Sequence, residues 1–513
     1  MIRKYILCAC ALFLVGHALH AQQSGDLDST FSADGIALND LVAENDYAQD
    51  IALQPDGKIV AVGIARTMQD NLLVVRYLPD GELDASFGSG GFVITAIGSF
   101  GSGATKVAIQ PDGKIVVGGF SSYGPAGRFM AVLRYHADGS LDSSFAGDGI
   151  REDDMTAGDD SAAGLAVQSD GKIVVTAGGA AASNFVTMRL TAAGELDPGF
   201  ADNGVQTTSV ATNSVPRALL LQPDGRIIVV GEVAEPGFDV YVGIARYNSD
   251  GSADASFGVA GEVIHAFAPG HNRYFAATLQ PDGKIIVAGV AGNGQTAAMG
   301  LARFHTNGDV DATFGDNGNV ILPTQPLSEA RSVAVLPDGR IFVGGNRPYI
   351  MEVALLNPDG SVDTGFSQDG LQTTPIDTSS TVQAVAVQAD GKALAAGMTY
   401  IYPTGYAFTV VRYLTDGLSG IAEESSLATD LGVYPNPSAG SFNVHYTLQR
   451  TERITLRLFD AEGREMMTVL DRTLQQAGTH DMHVDLSIGI AAGSYVLQFS
   501  VGRKSATVPI MKL

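Results

Sequence analysis

Gln110-Pro111-Asp112-Gly113-Lys114-Ile115-Val116-Val117-Gly118-Gly119 (QPDGKIVVGG) spells out a hairpin turn. Pro presets the first turn position, Asp can bond the backbone ahead of it, and Gly accepts the positive φ that closes the hairpin. On its left lies the apolar-rich arm Thr105-Lys106-Val107-Ala108-Ile109, and on its right a β-branched run that ends in paired glycines. The stretch therefore predicts a turn between two strands. It returns, slightly altered, seven times, with its turn glycine at Gly57, Gly113, Gly171, Gly225, Gly283, Gly339 and Gly391, a spacing of 52 to 58 residues.

Two more markers keep this period. An Arg-Tyr-like strand end followed by Asp-Gly recurs at Arg76, Arg134, Arg189, Arg246, Arg303 and Arg412, with Leu355 in place of Arg in the sixth copy. A Leu-Asp-x-x-Phe connector with a glycine loop follows, its phenylalanines at Phe31, Phe87, Phe145, Phe200, Phe257, Phe314 and Phe366. Each copy thus offers about four short strands and no helical stretch, which matches one blade of a β-propeller. The ends of the array separate a closed ring from an open β-solenoid. Gly25-Asp26-Leu27-Asp28-Ser29-Thr30-Phe31 enters the repeat at the glycine where Arg412-Tyr413-Leu414-Thr415-Asp416-Gly417 leaves it. Neither end carries the polar capping repeat that an open stack needs. The expectation is an all-β chain: a closed seven-bladed β-propeller over residues 22–417, with Leu27 to Phe31 packed on the last blade, followed by a small Ig-like β-sandwich.

Composition sets the compartment. Met1 to Ala21 combines basic Arg3 and Lys4, an apolar run from Tyr5 to Val15 and a small residue before the expected cut, the pattern of a secretory signal peptide over residues 1–21. No later segment approaches the roughly 20 apolar residues of a spanning helix, so export without a transmembrane segment is expected. The two cysteines, Cys8 and Cys10, lie inside the signal, which leaves the mature protein neither a disulfide nor a thiolate metal site. The formal charge of -24 sits in the repeats and argues against nucleic acid or anionic lipid as partners. It mildly favours divalent cations such as Ca, but the turn and connector motifs alone supply two or three Asp per copy, and no cofactor is expected.

Residues 418–431 drop the pattern and read as a short acidic linker. Beyond it, Tyr434-Pro435-Asn436-Pro437 with Gly440, the alternating runs Phe442 to Tyr446 and Ile454 to Phe459, the turn signal Glu462-Gly463 and the run Ala492 to Phe499 describe a β-sandwich over 432–513.

Two resemblances rest on these residues. PDGKIVVGG, RYxxDG and LDSSFAGDG are similar to the delta-60 repeat family of large bacterial surface or secreted proteins, which implies the propeller and supplies no active site. YPNPSAG at 434–440, LFDAEGREM at 458–466, AAGSYVLQF at 491–499 and the final Lys512-Leu513 resemble the type A sorting domain of the type IX secretion system of the Bacteroidetes. The motif positions are Tyr434, Pro435, Asn436, Pro437, Gly440, Gly493 and Tyr495. That resemblance implies passage through the periplasm to the outer cell surface or medium, with the secretion machinery as partner and removal of the domain as a common outcome.

No His-Glu-x-x-His, phosphate-binding loop or Gly-x-Ser-x-Gly elbow is present, so no catalytic, cofactor-binding or metal residue is assigned. The recurring Asp28, Asp84, Asp142, Asp197, Asp254, Asp311 and Asp363 are too regular for an active site, which needs convergent groups. They are expected to satisfy backbone donors in the connector or to pair with the Arg of their repeat. The phenylalanines are expected to pack blade on blade. Function is sought in the irregular loops instead. In a four-stranded meander the second-to-third turn and the link to the next blade share one face of the disc, opposite the uniform PDG and LDxxF segments. The candidate ligand-face residues are Glu152, Asp153, Asp154, Asp159, Asp160, Phe238, Asp239, His271, Asn272, Arg273, Tyr274, Tyr400, Tyr402 and Tyr406, a mixture suited to an extracellular glycan or protein. The expected function is noncatalytic binding by an exported propeller. A secreted polysaccharide hydrolase or lyase on the same scaffold is the alternative.

Overall fold

The computed structural model describes residues 22–416 except 43, 157, 179–183, 235–239, 268–271, 293–296 and 325–326, and residues 429–512 except 435–439, 449–450, 461–463, 487–489, 492 and 502–503. Gln22–Gly417 forms one compact unit and Leu418–Leu513 belongs to another. No helix among the described residues is long and apolar enough to cross a membrane.

The first unit is a seven-bladed β-propeller made of seven four-stranded antiparallel sheets. The first blade runs Asp46–Leu53, Ile59–Arg66, Asp70–Tyr77 and Phe92–Thr95 from innermost to outermost strand, and the QPDG turn joins its two inner strands. The quoted turn behaves as its residues dictate. Gly113 has φ +85°, its N–H donates to the Gln110 carbonyl at 2.9 Å, and the Lys114 N–H donates to the Asp112 carboxylate at 3.2 Å.

The β-branched runs follow from burial on both faces, because each blade is covered by a neighbour on either side. Ile59 to Val62 and Ile115 to Val117 are wholly buried, whereas the four-residue outermost strands are mostly half-buried. The second of the paired glycines has a separate cause. Each innermost strand carries a β-bulge, and the bulge drives a carbonyl into the space a side chain opposite would fill. A Cβ on Gly119 would lie 2.0 Å from the Gly103 oxygen, and one on Gly63 would lie 1.7 Å from the Tyr47 oxygen. Only glycine relieves that approach in six blades; in the third, Ala177 takes this place, opposite Ala162.

The ring closes with the N-terminal segment. Strand Ile36–Asn39 is the outermost strand of the last blade, paired with Gly405–Tyr413 in the register Ile36 to Val411. Leu27 bridges Tyr413, and the Asp28 N–H donates to the Arg412 carbonyl at 2.9 Å, as expected for the Leu27–Phe31 segment. The closing strand four residues further on was not visible in the repeat motifs. Even the turn glycine is shared between the two ends. The Gly25 N–H donates to the Leu414 carbonyl at 2.7 Å, as Gly81 does to Leu78 at 3.0 Å within the first blade.

Neighbouring blades are clasped by the three markers together. The connector Asp accepts the Nε–H of its Arg at 2.7 to 2.9 Å in five blades, and in the last blade Asp28 forms an ion pair with Arg412 at 2.8 Å. Its other oxygen accepts a backbone N–H two residues ahead, as Asp84 does from Ser86 at 3.0 Å. The same guanidinium lies over the connector Phe, with Arg76 4.5 Å from the Phe87 centroid, and donates to a carbonyl of the following blade, Arg76 to Ala137 and Arg412 to Pro79. Burial pushes the Asp142 carboxyl up, but its bonds from Ser144 and the charge of Arg134 prevail and hold it at about 2. The seven Asp are thus structural, as their regularity implies.

In the second unit a sheet ordered Thr429–Tyr434, Ser441–Leu448, Gly478–Asp485 accompanies one ordered Glu465–Gln475, Glu452–Asp460, Gly493–Val501, Lys504–Lys512. Phe442, Val444, Tyr446, Ile454, Leu456, Leu458, Leu497 and Phe499 alternate into one core between them. The first strand starts at Thr429, inside the expected linker, most of which lies outside the described residues.

Candidate functional site: the variable face and the channel mouth

Strand direction places the PDG turns and the LDxxF connectors on one face of the propeller. The second-to-third turns and the links between blades emerge on the other. The described candidate residues belong to the latter face, but they are not equivalent there. Asp154 and Asp159 are exposed, and Asp159 accepts the Arg128 N–H at 3.0 Å. Glu152 is half-buried and accepts from the Tyr123 hydroxyl at 3.0 Å, while Asp153 is engaged by Arg151 at 2.6 and 2.8 Å. Phe238, Asp239 and His271 lie outside the described residues.

Three candidates are withdrawn from the surface. Asp160, Asn272 and Tyr274 are fully buried. Asp160 accepts the backbone N–H groups of Met155 and Thr156 at 2.6 and 2.9 Å and so pins its own loop. Asp46, Ser102, Ser214, Asn272, Ser328 and Ser380 occupy the same place in the other blades, three residues before the bulge, and all are buried. A short polar residue there holds the incoming link, which is a task of the fold. In the first blade the carboxylate of Asp46 accepts from Leu41 at 2.7 Å and Val42 at 3.2 Å, and burial raises its pKa to about 6.

The tyrosines do come together. Tyr400 and Tyr406 meet at 5.1 Å between ring centroids, Tyr406 reaches Tyr47 of the first blade at 5.5 Å, and Tyr402 stands exposed at the tip of the same hairpin. This aromatic run crosses the seam where the ring closes. Arg273 is exposed, with its guanidinium 4.9 Å from the Phe275 centroid.

The residues that sequence reasoning missed are those of the bulges. Gln49, Thr105, Ala163, Arg217, Phe275, Arg331 and Gln383 each occupy the extra position in an innermost strand. All seven line one cavity of ≈ 500 Å³ on the central axis. Ser161 and Gly178, at the variable-face ends of their strands, also line it, so its mouth opens on the variable face. A bulge re-aims a side chain, and here it delivers one unlike residue from every blade to a common space. The signal was present in the sequence: each of the seven stands six residues before the second residue of the QPDG-type turn, in a column of the inner strand without common chemistry.

The mouth is uneven in charge. Arg217 is held by Glu232 at 2.6 Å, and Arg331 by Glu329 at 2.5 Å. Glu232 also accepts from Arg273 at 3.4 Å and from the Tyr274 N–H at 3.3 Å. Deeper in, Lys106 and Asp50 face the axis on adjacent blades. Burial raises the Asp50 pKa against the opposing pull of Lys106, and its carboxylate accepts the Val107 N–H at 2.9 Å. Among the described residues no group of three or more His, Cys, Asp or Glu is arranged to hold a metal ion.

Comparison with known proteins agrees with this architecture. Residues 54–87, 110–145, 168–200, 222–257, 280–314 and 336–366 match the domain of unknown function (DUF5122) beta-propeller, and residues 432–512 match the secretion system C-terminal sorting domain. Six linear matches for seven blades is what the closure requires, since the seventh copy is divided between Gln388–Asp416 and Gly25–Phe31. No curated protein matches the chain. Among solved structures it is similar to PorZ, a surface component of the type-IX secretion system of Porphyromonas gingivalis, at 15% identity and TM-score 0.39 over 92% of this chain and 59% of that one. The chain therefore spans about three fifths of the length of PorZ. It is also similar to a protein of unknown function from Dyadobacter fermentans (13% identity, TM-score 0.41, 74% of this chain and 99% of that one) and to the polysaccharide lyase Uly1 (10%, 0.44, 77% and 98%). The fold itself rests on the strand pairing and the repeat matches, and together these identify the chain as a DUF5122-type β-propeller exported to the cell surface or extracellular space by a type IX C-terminal sorting domain.

Proposed function

We propose that the exported propeller is a noncatalytic binding module that takes an extracellular glycan or protein on its variable face, after removal of residues 1–21 as a signal peptide. The observation that supports this is the division of labour between the two faces. One carries seven near-identical turns and connectors bound into the blade clasps, and the other gathers unlike residues around an open channel mouth and a half-buried tyrosine cluster beside the exposed Tyr402. Polar groups converging with aromatic surface in a concave site are the usual basis of ligand recognition. The sorting domain has its own core, so it can act as an address independent of what the propeller binds.

The binding reading is tested by incubating the purified 22–417 region with immobilised polysaccharides and surface-protein extracts and analysing both phases. Retention without change in the ligand supports it. Shortened polysaccharide would instead establish the hydrolase or lyase reading, for which Asp50, with its raised pKa inside the channel, is the group to replace first. Export is tested separately by deleting 432–513. The truncated protein should accumulate in the periplasm, and normal surface or medium levels would overturn the assignment of the address.

A further inference from the structure

We infer that the channel mouth is a site for an acidic saccharide, whose carboxylate or sulfate is held by Arg217 and Arg331 while Gln49, Thr105 and Gln383 bond its hydroxyl groups. The inference rests on the binding reading above and specifies its site and ligand class.

Three observations carry it. First, the bulge ring runs against the charge of its surroundings. Residues 22–417 hold 45 acidic and 21 basic side chains, yet the seven bulge positions include two arginines and no carboxylate. Second, the carboxylate that accompanies Arg217 sits behind it as a brace, whereas Glu329 beside Arg331 is as exposed as its partner, at 31% against 32%. The Glu232 side chain is 13% exposed, against 35% for Arg217 and 53% for Arg273, so water meets the guanidinium groups first. Glu232 is further fixed by the Tyr274 N–H, which leaves it less free to follow a ligand. Third, the guanidinium groups are set in place with donors to spare. Arg273 and Arg331 lie 4.9 and 4.4 Å from the Phe275 centroid, which orients both planes. Arg331 is 32% exposed and pairs with one carboxylate through a single nitrogen, so its guanidinium keeps further donors for a ligand.

The class of ligand follows from what completes the ring. Carboxylate and sulfate are the groups a guanidinium fork holds best. The amides of Gln49 and Gln383 donate and accept, and the Thr105 hydroxyl, which already donates to the Ala162 carbonyl at 2.6 Å, accepts, which suits the paired functions of sugar hydroxyls. Among the described residues the mouth offers one aromatic ring, already covered by two arginines. A cavity of ≈ 500 Å³ admits the end of a chain, with the rest of it running out over the variable face.

The test is calorimetric titration of the intact exported protein with an oligogalacturonate, a sulfated galacto-oligosaccharide, a neutral galacto-oligosaccharide of equal length and a hexaglutamate peptide. Binding of at least one acidic saccharide, tenfold or more tighter than the neutral one and weakened by added salt, is expected. Arg331→Gln and Arg217→Gln should each weaken it at least fivefold. Arg331→Lys, which keeps the charge and loses the fork, should fall between Arg331→Gln and the parent, and unchanged melting temperatures would show that the variants remain folded. Equal affinity for neutral and acidic saccharides, tighter binding of hexaglutamate, or indifference to both arginines would overturn the inference. If saccharide binding were lost in Tyr402→Ala but kept in Arg331→Gln, the variable face would bind and the channel would not. Absence of binding to saccharides and surface proteins alike would remove the underlying reading as well.

Discussion

Removing Arg340 should cost far more than removing Lys114, although both follow the same turn in their blades. In the sixth blade Leu355 stands where the other blades have the clasp arginine, and Leu355 is fully buried. Arg340 has taken over from the neighbouring strand. Its guanidinium reaches the connector Asp363 at 3.2 Å and donates to the Thr415 carbonyl of the next blade at 2.9 Å, the place that Arg76 fills at Ala137. It also meets Asp338 and Asp416, both at 2.6 Å. The Arg340 side chain is 14% exposed and that of Asp363 20%, so these two bonds are only partly screened. Hydrogen bonds to charged groups contribute about 1.5–3 kcal/mol each, whereas pairs with exposed partners such as Asp338 and Asp416 add little. Arg340→Ala should therefore lose roughly 2–4 kcal/mol. Lys114→Ala loses a surface pair with Asp112 and a long contact with Asp142 at 4.0 Å, together worth about 1 kcal/mol or less. Equilibrium urea unfolding of the 22–417 region measures both. Adding Leu355→Arg to Arg340→Ala restores a guanidinium where the other blades have it and should recover at least half the loss. Equal midpoints for the two single variants, or no recovery in the double variant, would refute the idea that Arg340 replaces the missing clasp.

Gly113→Val isolates backbone strain, because nothing lies within 4 Å of a Cβ there while φ is +85°. A loss of about 1–2 kcal/mol in urea unfolding is expected, and a neutral result would show that the turn tolerates a β-branched residue. Asp46→Asn keeps an acceptor for Leu41 and Val42 and removes a buried charge. Because burial lifts the folded pKa to about 6, above the unfolded value, Asp46 costs stability at neutral pH, and that cost fades as pH falls from 6 towards 4. The variant should gain up to about 3 kcal/mol at pH 7 and little at pH 4, and a gain independent of pH would contradict this. Deleting residues 22–39 removes the outermost strand of the last blade and should lower the melting temperature well beyond an equal deletion in the exposed loop links. An unchanged melting temperature would exclude closure by this strand.

The fold was legible because its causes are local and repeated. The Pro-Asp-Gly turn states its own geometry, the Ile-Val-Val runs state burial on two faces, and Leu-Asp-x-x-Phe states the connector. Pairing of the conserved-spacing Asp and Arg could be expected from charge alone. The closing strand Ile36–Asn39 was harder to see, because a four-residue outer strand carries too little pattern to mark it. The glycine after Val117 could not be explained without the bulge it faces. The site was only partly legible for a related reason. Asp160 and Asn272 look like loop residues in sequence and become buried pins once the link folds over them. Gln49, Arg217, Phe275 and Arg331 look like ordinary positions in an inner strand, and only a bulge in every blade turns them towards one another.

The split turn at Gly25 and Leu414 also sets the order of events during folding. A bond such as that from Arg412 to Thr30 joins residues 382 apart, so confining its ends costs about 5 kcal/mol of chain entropy before any contact repays it. Six blades can assemble from neighbouring residues as the chain lengthens, but the first and last remain apart until Tyr413 is in hand. During that interval Ile36–Asn39 waits as an unpaired strand and the last blade lacks its rim, both of them invitations to pair with another molecule. The hazard is greatest just before completion, and a chaperone that shields the N-terminal strand would protect this protein more than one acting on any blade in the middle.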